Sequence, residues 1–330
     1  MNKTLLEIQL KIALCKFELH MNTLKIFFFI LVWFSVSGKA QTPTFTSTDI
    51  EINAFIDGTL LVPNTKEPLP LAIIIADYGA KDRNGNEDFS KNNSLKQLAE
   101  QLTQNGIATF RYDKRIVKQI KKGKVDTNIT FDDFITDAMS TLTYFKNQNS
   151  FSRIYIIGHG QGSLVGMIAA KEGADGFISL AGSGKSIDLV ITEQIEAMDP
   201  SLSEPTKQAF YNLREGKSVL NYPPALSSIF NPDVQPFIRN WMQYNPTLSL
   251  ENLNIPILII NGTKDLQVHV NEAQLLSEAN EKATLALIDK MNHVFFIIEG
   301  DDLENSKSYN ESFRKISKAL VNQITSFIKN

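Results

Sequence analysis

The sequence predicts an α/β protein with a mainly parallel central sheet covered by helices on both faces. Three observations carry that expectation. Residues 69–76 (LPLAIIIA) and 255–261 (IPILIIN) are continuous apolar runs, as expected of strands covered on both sides. Segments with helical apolar spacing fall between such runs. Residues 153–170 (RIYIIGHGQGSLVGMIAA) read as buried strand, tight glycine turn and helix in immediate succession.

Taken in order, residues 50–55 and 59–62 flank Asp57-Gly58, which has the form of a two-residue hairpin turn. The buried strand 69–76 follows. A helix is expected over 94–104, closed by Asn105-Gly106, and then a strand over 108–112. Thr130 can cap a helix whose apolar residues Phe131, Phe134, Ile135, Ala138, Met139, Leu142 and Phe145 share a face. Further strands are expected at 154–157, 176–180, 255–261 and 283–288, with an amphipathic helix over 313–328. Between about 185 and 253 no strand is evident, and Pro200, Pro205, Pro223, Pro224, Pro232, Pro236 and Pro246 punctuate helical pieces. An insertion of that kind before the late strands reads as a helical lid. Its Tyr211, Tyr222, Phe230, Trp241 and Tyr244 either line an apolar pocket or pack the lid onto the core.

Hydrophobic content of 43% in 330 residues supplies a sizeable core. A net charge of −3 gives no footprint for nucleic acid or for an anionic membrane. The N-terminus reads separately. From Met21 the chain has Lys25, an apolar run over 26–36 and small residues at Gly38 and Ala40, the pattern of a secretory signal over 21–40. That run is short for a membrane span, so membrane attachment is expected only if the segment stays uncleaved. A periplasmic or secreted location follows. Residues 1–20 then read as an upstream extension, and the chain from 41 to 330 as the folded domain. Cys15 is the single cysteine, so the domain has no disulfide, thiol nucleophile or thiolate metal site.

The turn Gly158-His159-Gly160-Gln161-Gly162 has the frame of the G-x-S-x-G elbow, which exposes a serine hydroxyl at the end of a strand. Its centre is Gly160, which has no side chain. Four other segments accompany it: Asp82-Arg83-Asn84-Gly85-Asn86, Arg111-Tyr112-Asp113-Lys114-Arg115, Asn261-Gly262-Thr263-Lys264-Asp265 and Met291-Asn292-His293. In this order they resemble the α/β-hydrolase superfamily over nearly all of 49–330, in particular its bacterial secreted esterases and serine-aminopeptidase-like hydrolases. The resemblance implies the α/β-hydrolase fold and a Ser-His-Asp triad, with Asp265 and His293 as acid and base and Gly160 at the nucleophile position. It implies an oxyanion hole at Gln161 and Tyr78. The substrate would be a small ester, amide or acyl compound, with no cofactor and no metal.

Three departures bear on activity. Gly160 lacks the hydroxyl whose loss costs a serine hydrolase on the order of a million-fold in turnover. Asp77-Tyr78 replace the small residues such proteins place in the oxyanion loop. The Asp77 carboxylate would repel a developing oxyanion, and Tyr78 would take the space of the substrate carbonyl. Residues 116–122 replace a glycine-rich turn. Two readings follow: an exported hydrolase relative with lost or very weak activity, and a non-catalytic protein holding a small apolar or acyl ligand. Ser163, about one turn into the helix, and Ser183 are read as packing or loop residues rather than as replacement nucleophiles. His159 is expected to pack beneath the turn and His269 to sit in a loop. No histidine pair has zinc spacing, the acidic run 299–304 lacks calcium-loop spacing, and no nucleotide-binding glycine loop occurs. Lys118, Lys121, Lys122 and Lys124 read as a solvated loop.

Overall fold

The computed structural model describes residues 44–65 and 67–330. The expected extension (1–20), signal (21–40) and Cys15 lie outside the described residues. Strands β1 (Phe45–Asn53) and β2 (Ile56–Pro63) form the expected hairpin, but its turn is Ala54-Phe55. Asn53 makes that turn by accepting the N–H groups of Phe55 and Ile56 on Oδ1 (2.8 and 3.2 Å). Asp57 and Gly58, the expected turn, pair with Glu51 and Ile50 inside the ladder instead.

The remaining strands are β3 (Leu71–Ile75), β4 (Ala108–Tyr112), β5 (Ile154–His159), β6 (Gly176–Leu180), β7 (Ile257–Gly262) and β8 (Ala283–Ile288). The eight-stranded sheet has the order β1-β2-β4-β3-β5-β6-β7-β8, antiparallel through β1, β2 and β4 and parallel from β4 to β8. Apolar side chains of the buried strands point alternately to two cores, one on each face. Ile73, Phe110 and Ile156 belong to one, and Ala72, Ile74 and Ile157 to the other.

Helix α1 (Ser94–Gln104) has the expected bounds. Helix α2 (Arg115–Lys121) takes in Lys118 and Lys121 of the run expected to be a solvated loop, whereas Lys122 and Lys124 follow it and are exposed as expected. Lys118 reaches Asp57 at 2.8 Å and Lys121 reaches Asp113 at 3.1 Å. Helix α3 (Phe131–Gln148) starts at a capping box in which the Thr130 N–H donates to Asp133 (2.8 Å). Helix α4 (Gln161–Ala170) follows β5 without an intervening loop. Between β6 and β7 run α5 (Ile187–Met198), α6 (Ser203–Arg214), α7 (Ser227–Phe230), α8 (Gln235–Trp241) and α9 (Pro246–Glu251). This helical insertion has a core of its own, built on Phe210, Leu213, Leu226 and Phe230. Helices α10 (Val270–Ala279), α11 (Asp302–Ser308) and α12 (Lys318–Lys329) complete the chain. The final helix is shorter than its apolar spacing predicts, since Ser317 caps its start by accepting the Leu320 N–H at 3.3 Å. No helix among the described residues is long and apolar enough to cross a membrane.

Candidate active site

Asp77, Gly160, Asp265 and His293 all lie in segments that leave the carboxyl ends of parallel strands, β3, β5, β7 and β8 respectively. That is the edge where open α/β sheets gather their ligands. The elbow itself is intact. Gly160 has φ +53° and ψ −118°, a strained conformation that glycine tolerates best. Gly162 lets the helix approach the sheet, for a Cβ there would sit 2.6 Å from the carbonyl oxygens of Ile75 and Ala76.

Asp265 and His293 meet as the sequence suggests, with His293 Nδ1 2.9 Å from Asp265 Oδ2. The other imidazole nitrogen does not face an open nucleophile position. It lies 3.2 Å from Asp77 Oδ2. Asp77 Oδ1 in turn accepts the backbone N–H of Gln161 at 2.8 Å, the donor expected to serve the oxyanion. The group that fills the space over Gly160 is therefore the Asp77 carboxylate. Tyr78, expected to obstruct it, is 60% exposed and stacks on Trp241 with ring centroids 5.9 Å apart.

Electrostatics follow from this arrangement. His293 has a carboxylate oxygen at each nitrogen, so both nitrogens must donate and the ring is an imidazolium. Burial alone would depress its pKa, but Asp265 and Asp77 together push it up to about 10. Burial would likewise raise Asp77, yet its hydrogen bond to His293 and their opposite charges hold it well below the usual carboxylate range. A doubly donating imidazolium has no lone pair with which to act as a base.

Lys114 stands behind the pair. Its buried Nζ donates to the Asp77 carbonyl oxygen (3.0 Å) and to Gln161 Oε1 (2.7 Å), and lies 4.5 Å from the centre of the Phe134 ring. It ties the β3 loop to the elbow. Burial pushes its pKa down to about 7, against the pull of Asp77. Sequence reasoning gave Lys114 no role, because nothing local shows that it reaches 37 residues back to Asp77.

The other singled-out residues have structural partners. His159 is buried, with Nε2 3.0 Å from the His293 carbonyl oxygen and burial pushing its pKa down to about 4. Ser163 is buried and hydrogen-bonds Ser179 at 2.7 Å. Ser183 donates to Glu272 at 2.9 Å, and His269 precedes α10 as its N-cap residue. Asp77, His159 and His293 bring potential ligand atoms within 4.8 Å of one another, a grouping invisible as sequence spacing. As they stand they form a hydrogen-bond chain, with both His293 nitrogens facing carboxylates.

A cavity of about 270 Å³ opens above Asp77, Gly160 and His293. Leu164, Ile187, Val190, Ile191, Ile238 and Trp241 give it apolar walls, mostly from the helical insertion. Of the five insertion aromatics named from sequence, only Trp241 lines it. Phe230 and Tyr222 pack within the insertion, Tyr211 faces solvent, and Tyr244 packs on Phe131 with its hydroxyl on Asp132 (2.5 Å).

No family model matches the chain. Esterase EstD of Thermotoga maritima is 26% identical over 263 residues, which are 78% of this chain and 62% of that protein. The chain thus spans about three fifths of the length of this curated relative. Est1E from Butyrivibrio proteoclasticus superposes with a TM-score of 0.53 at 17% identity, covering 86% of this chain and 99% of that one. The esterase Pf2001 of Pyrococcus furiosus superposes with a TM-score of 0.51 at 13% identity, covering 86% and 90%. The eight-stranded sheet and the superposed structures give the chain the α/β-hydrolase fold, and in sequence it resembles an esterase.

Proposed function

We propose that this is an α/β-hydrolase-fold protein in which serine-type acyl hydrolysis is switched off, and whose lidded cavity binds a small apolar or acyl ligand. One observation carries the reading. The Asp77 carboxylate bonds both the Gln161 N–H and the His293 imidazolium, the two groups that acyl transfer needs free. With Gly160 at the elbow there is no hydroxyl either. What persists is an apolar chamber with a few polar groups at its floor, the usual form of a small-ligand site. The helical insertion acts as the lid, supplying most of the chamber's apolar wall.

The test uses unmodified protein with p-nitrophenyl acetate and butyrate, alongside quenching of Trp241 fluorescence by short-chain fatty acids and aryl esters. The expected result is saturable quenching with no turnover beyond buffer. Turnover that disappears in His293→Ala would overturn the reading and restore the hydrolase one. We also propose that residues 21–40 direct export to the periplasm or medium. Mass spectrometry of the exported chain should find a new N-terminus near Gln41, and retention of the intact segment in the cytoplasm would refute it.

A further inference from the structure

A second cavity, of about 560 Å³, shares no lining residue with the first. It lies among the β1–β2 hairpin, the 82–84 turn, α1 and the end of β4. At its base is Arg111, only 5% exposed. The Arg111 guanidinium cannot shed its charge, so it needs an anion or a full set of acceptors once buried. It has neither. Nε and Nη2 share one neutral acceptor, Asn84 Oδ1, at 3.4 and 3.3 Å, and Nη1 has no hydrogen-bond partner. No ion pair within 4.0 Å involves Arg111 among the described residues.

The acids that line the same cavity are already engaged. Asp113 takes Arg83 and Lys121, both at 3.1 Å. Asp49 takes Arg83 at 3.2 Å and the Thr59 hydroxyl at 2.6 Å. Asp82 caps its own turn by accepting the N–H groups of Asn84 and Asn86 at 2.8 and 2.9 Å. Glu100 holds Lys96 only at 3.9 Å, and Lys96 is half-exposed on the rim. The four acids and four cations of the lining balance; Asp82 and Arg111 are the two without an ion-pair partner among the described residues, and of these Arg111 is the buried one, with a loosely held cation beside it.

We infer that this cavity is a binding site for a small oxyanion, a carboxylate or phosphate group, received by Arg111 at the base and Lys96 at the rim. A planar guanidinium with unfilled N–H groups suits either anion; its Nη1 is closed to solvent, so Arg111 must turn toward the cavity to receive one, as Lys96 must swing from Glu100. Acidic neighbours already committed to Arg83, Lys121 and backbone donors limit the repulsion such a guest would meet.

Isothermal titration of the full chain with inorganic phosphate, and separately with acetate and succinate, tests this and separates the two anion sources. Saturable binding of phosphate, of a carboxylate, or of both is expected. Affinity should fall at least about tenfold in Arg111→Gln, as for a hydrogen bond to a charged group. Lys96→Glu, on an exposed helix face, keeps the fold and should weaken binding similarly, so the proposal stays open to refutation if Arg111→Gln does not fold. Absence of saturable binding by all three anions, or binding indifferent to both Arg111→Gln and Lys96→Glu, would each overturn the assignment.

Discussion

Restoring serine at the elbow should fail unless Asp77 is removed with it. A Cβ at Gly160 would lie 3.1 Å from Asp77 Cβ and would overlap Oδ1 and Cγ outright. Gly160→Ser must therefore expel the carboxylate from both the Gln161 N–H and His293. Separating a buried carboxylate from its buried imidazolium destabilises by about 3–5 kcal/mol. In a domain of this size that lowers the melting temperature by roughly 10 °C. The single variant should thus be less stable and still inert towards p-nitrophenyl esters, because a displaced carboxylate remains beside the forming oxyanion. Asp77→Gly alone should be inert for want of a hydroxyl. In Asp77→Gly/Gly160→Ser the Gln161 N–H is free, and His293 keeps one carboxylate and can act as a base. Ester hydrolysis at least about a thousandfold above either single variant is expected, a fraction of what a complete triad supplies. Spectrophotometric ester assays beside thermal melts decide the matter. An active and undiminished Gly160→Ser, or a folded double variant with no activity, would refute the claim that Asp77 is what bars the site.

Three further outcomes follow. The folded pKa of His293 is raised from 6.5 to about 10, so its stabilising contribution is complete below about pH 6.5 and is lost as pH rises through 10. Urea unfolding should show stability falling by up to about 5 kcal/mol across that window, with a flatter profile in His293→Leu; equal slopes would count against the doubly bonded imidazolium. Gly58→Val puts a side chain into the Phe110 ring and 2.8 Å from the Arg111 carbonyl oxygen, and should destabilise by about 1–3 kcal/mol in the same assay, where an unchanged midpoint would contradict the packing. Arg115 bridges Asp137 through two bonds (2.8 and 2.7 Å) and reaches Asp133 at 2.5 Å, so Arg115→Ala should destabilise by about 3–5 kcal/mol as it strands buried Asp137; a loss under 1 kcal/mol would be typical of a surface pair and would refute the assignment.

Much of this molecule is local and therefore readable along the chain. Strand 71–75 is a pure apolar run, α1 ends where Asn105-Gly106 end it, and the glycines of 158–162 mark the elbow by themselves. The pairing of Asp265 with His293 could be expected because each leaves the end of a strand in the order that the resemblance supplies. Where local signals compete, the reading slipped. Asp57-Gly58 looks like a hairpin turn, but Asn53 offers a side-chain acceptor that makes the turn earlier, and Gly58 is there to clear Phe110. Lys118 looks solvated until Asp57 arrives from β2.

Sequence alone therefore determined the α/β architecture, the glycine at the centre of the elbow and, through the resemblance, the Asp265 and His293 that meet beside it, all set by residues close to one another or by strand order. Tertiary structure alone decided what occupies the space over that glycine. Asp77 lies 83 residues before Gly160 and 216 before His293, and only the parallel stacking of β3 against β5 brings its carboxylate into the space a Cβ would need. A carboxylate's reach and a neighbour's missing side chain are properties of folded space, and neither leaves a periodic trace along the chain.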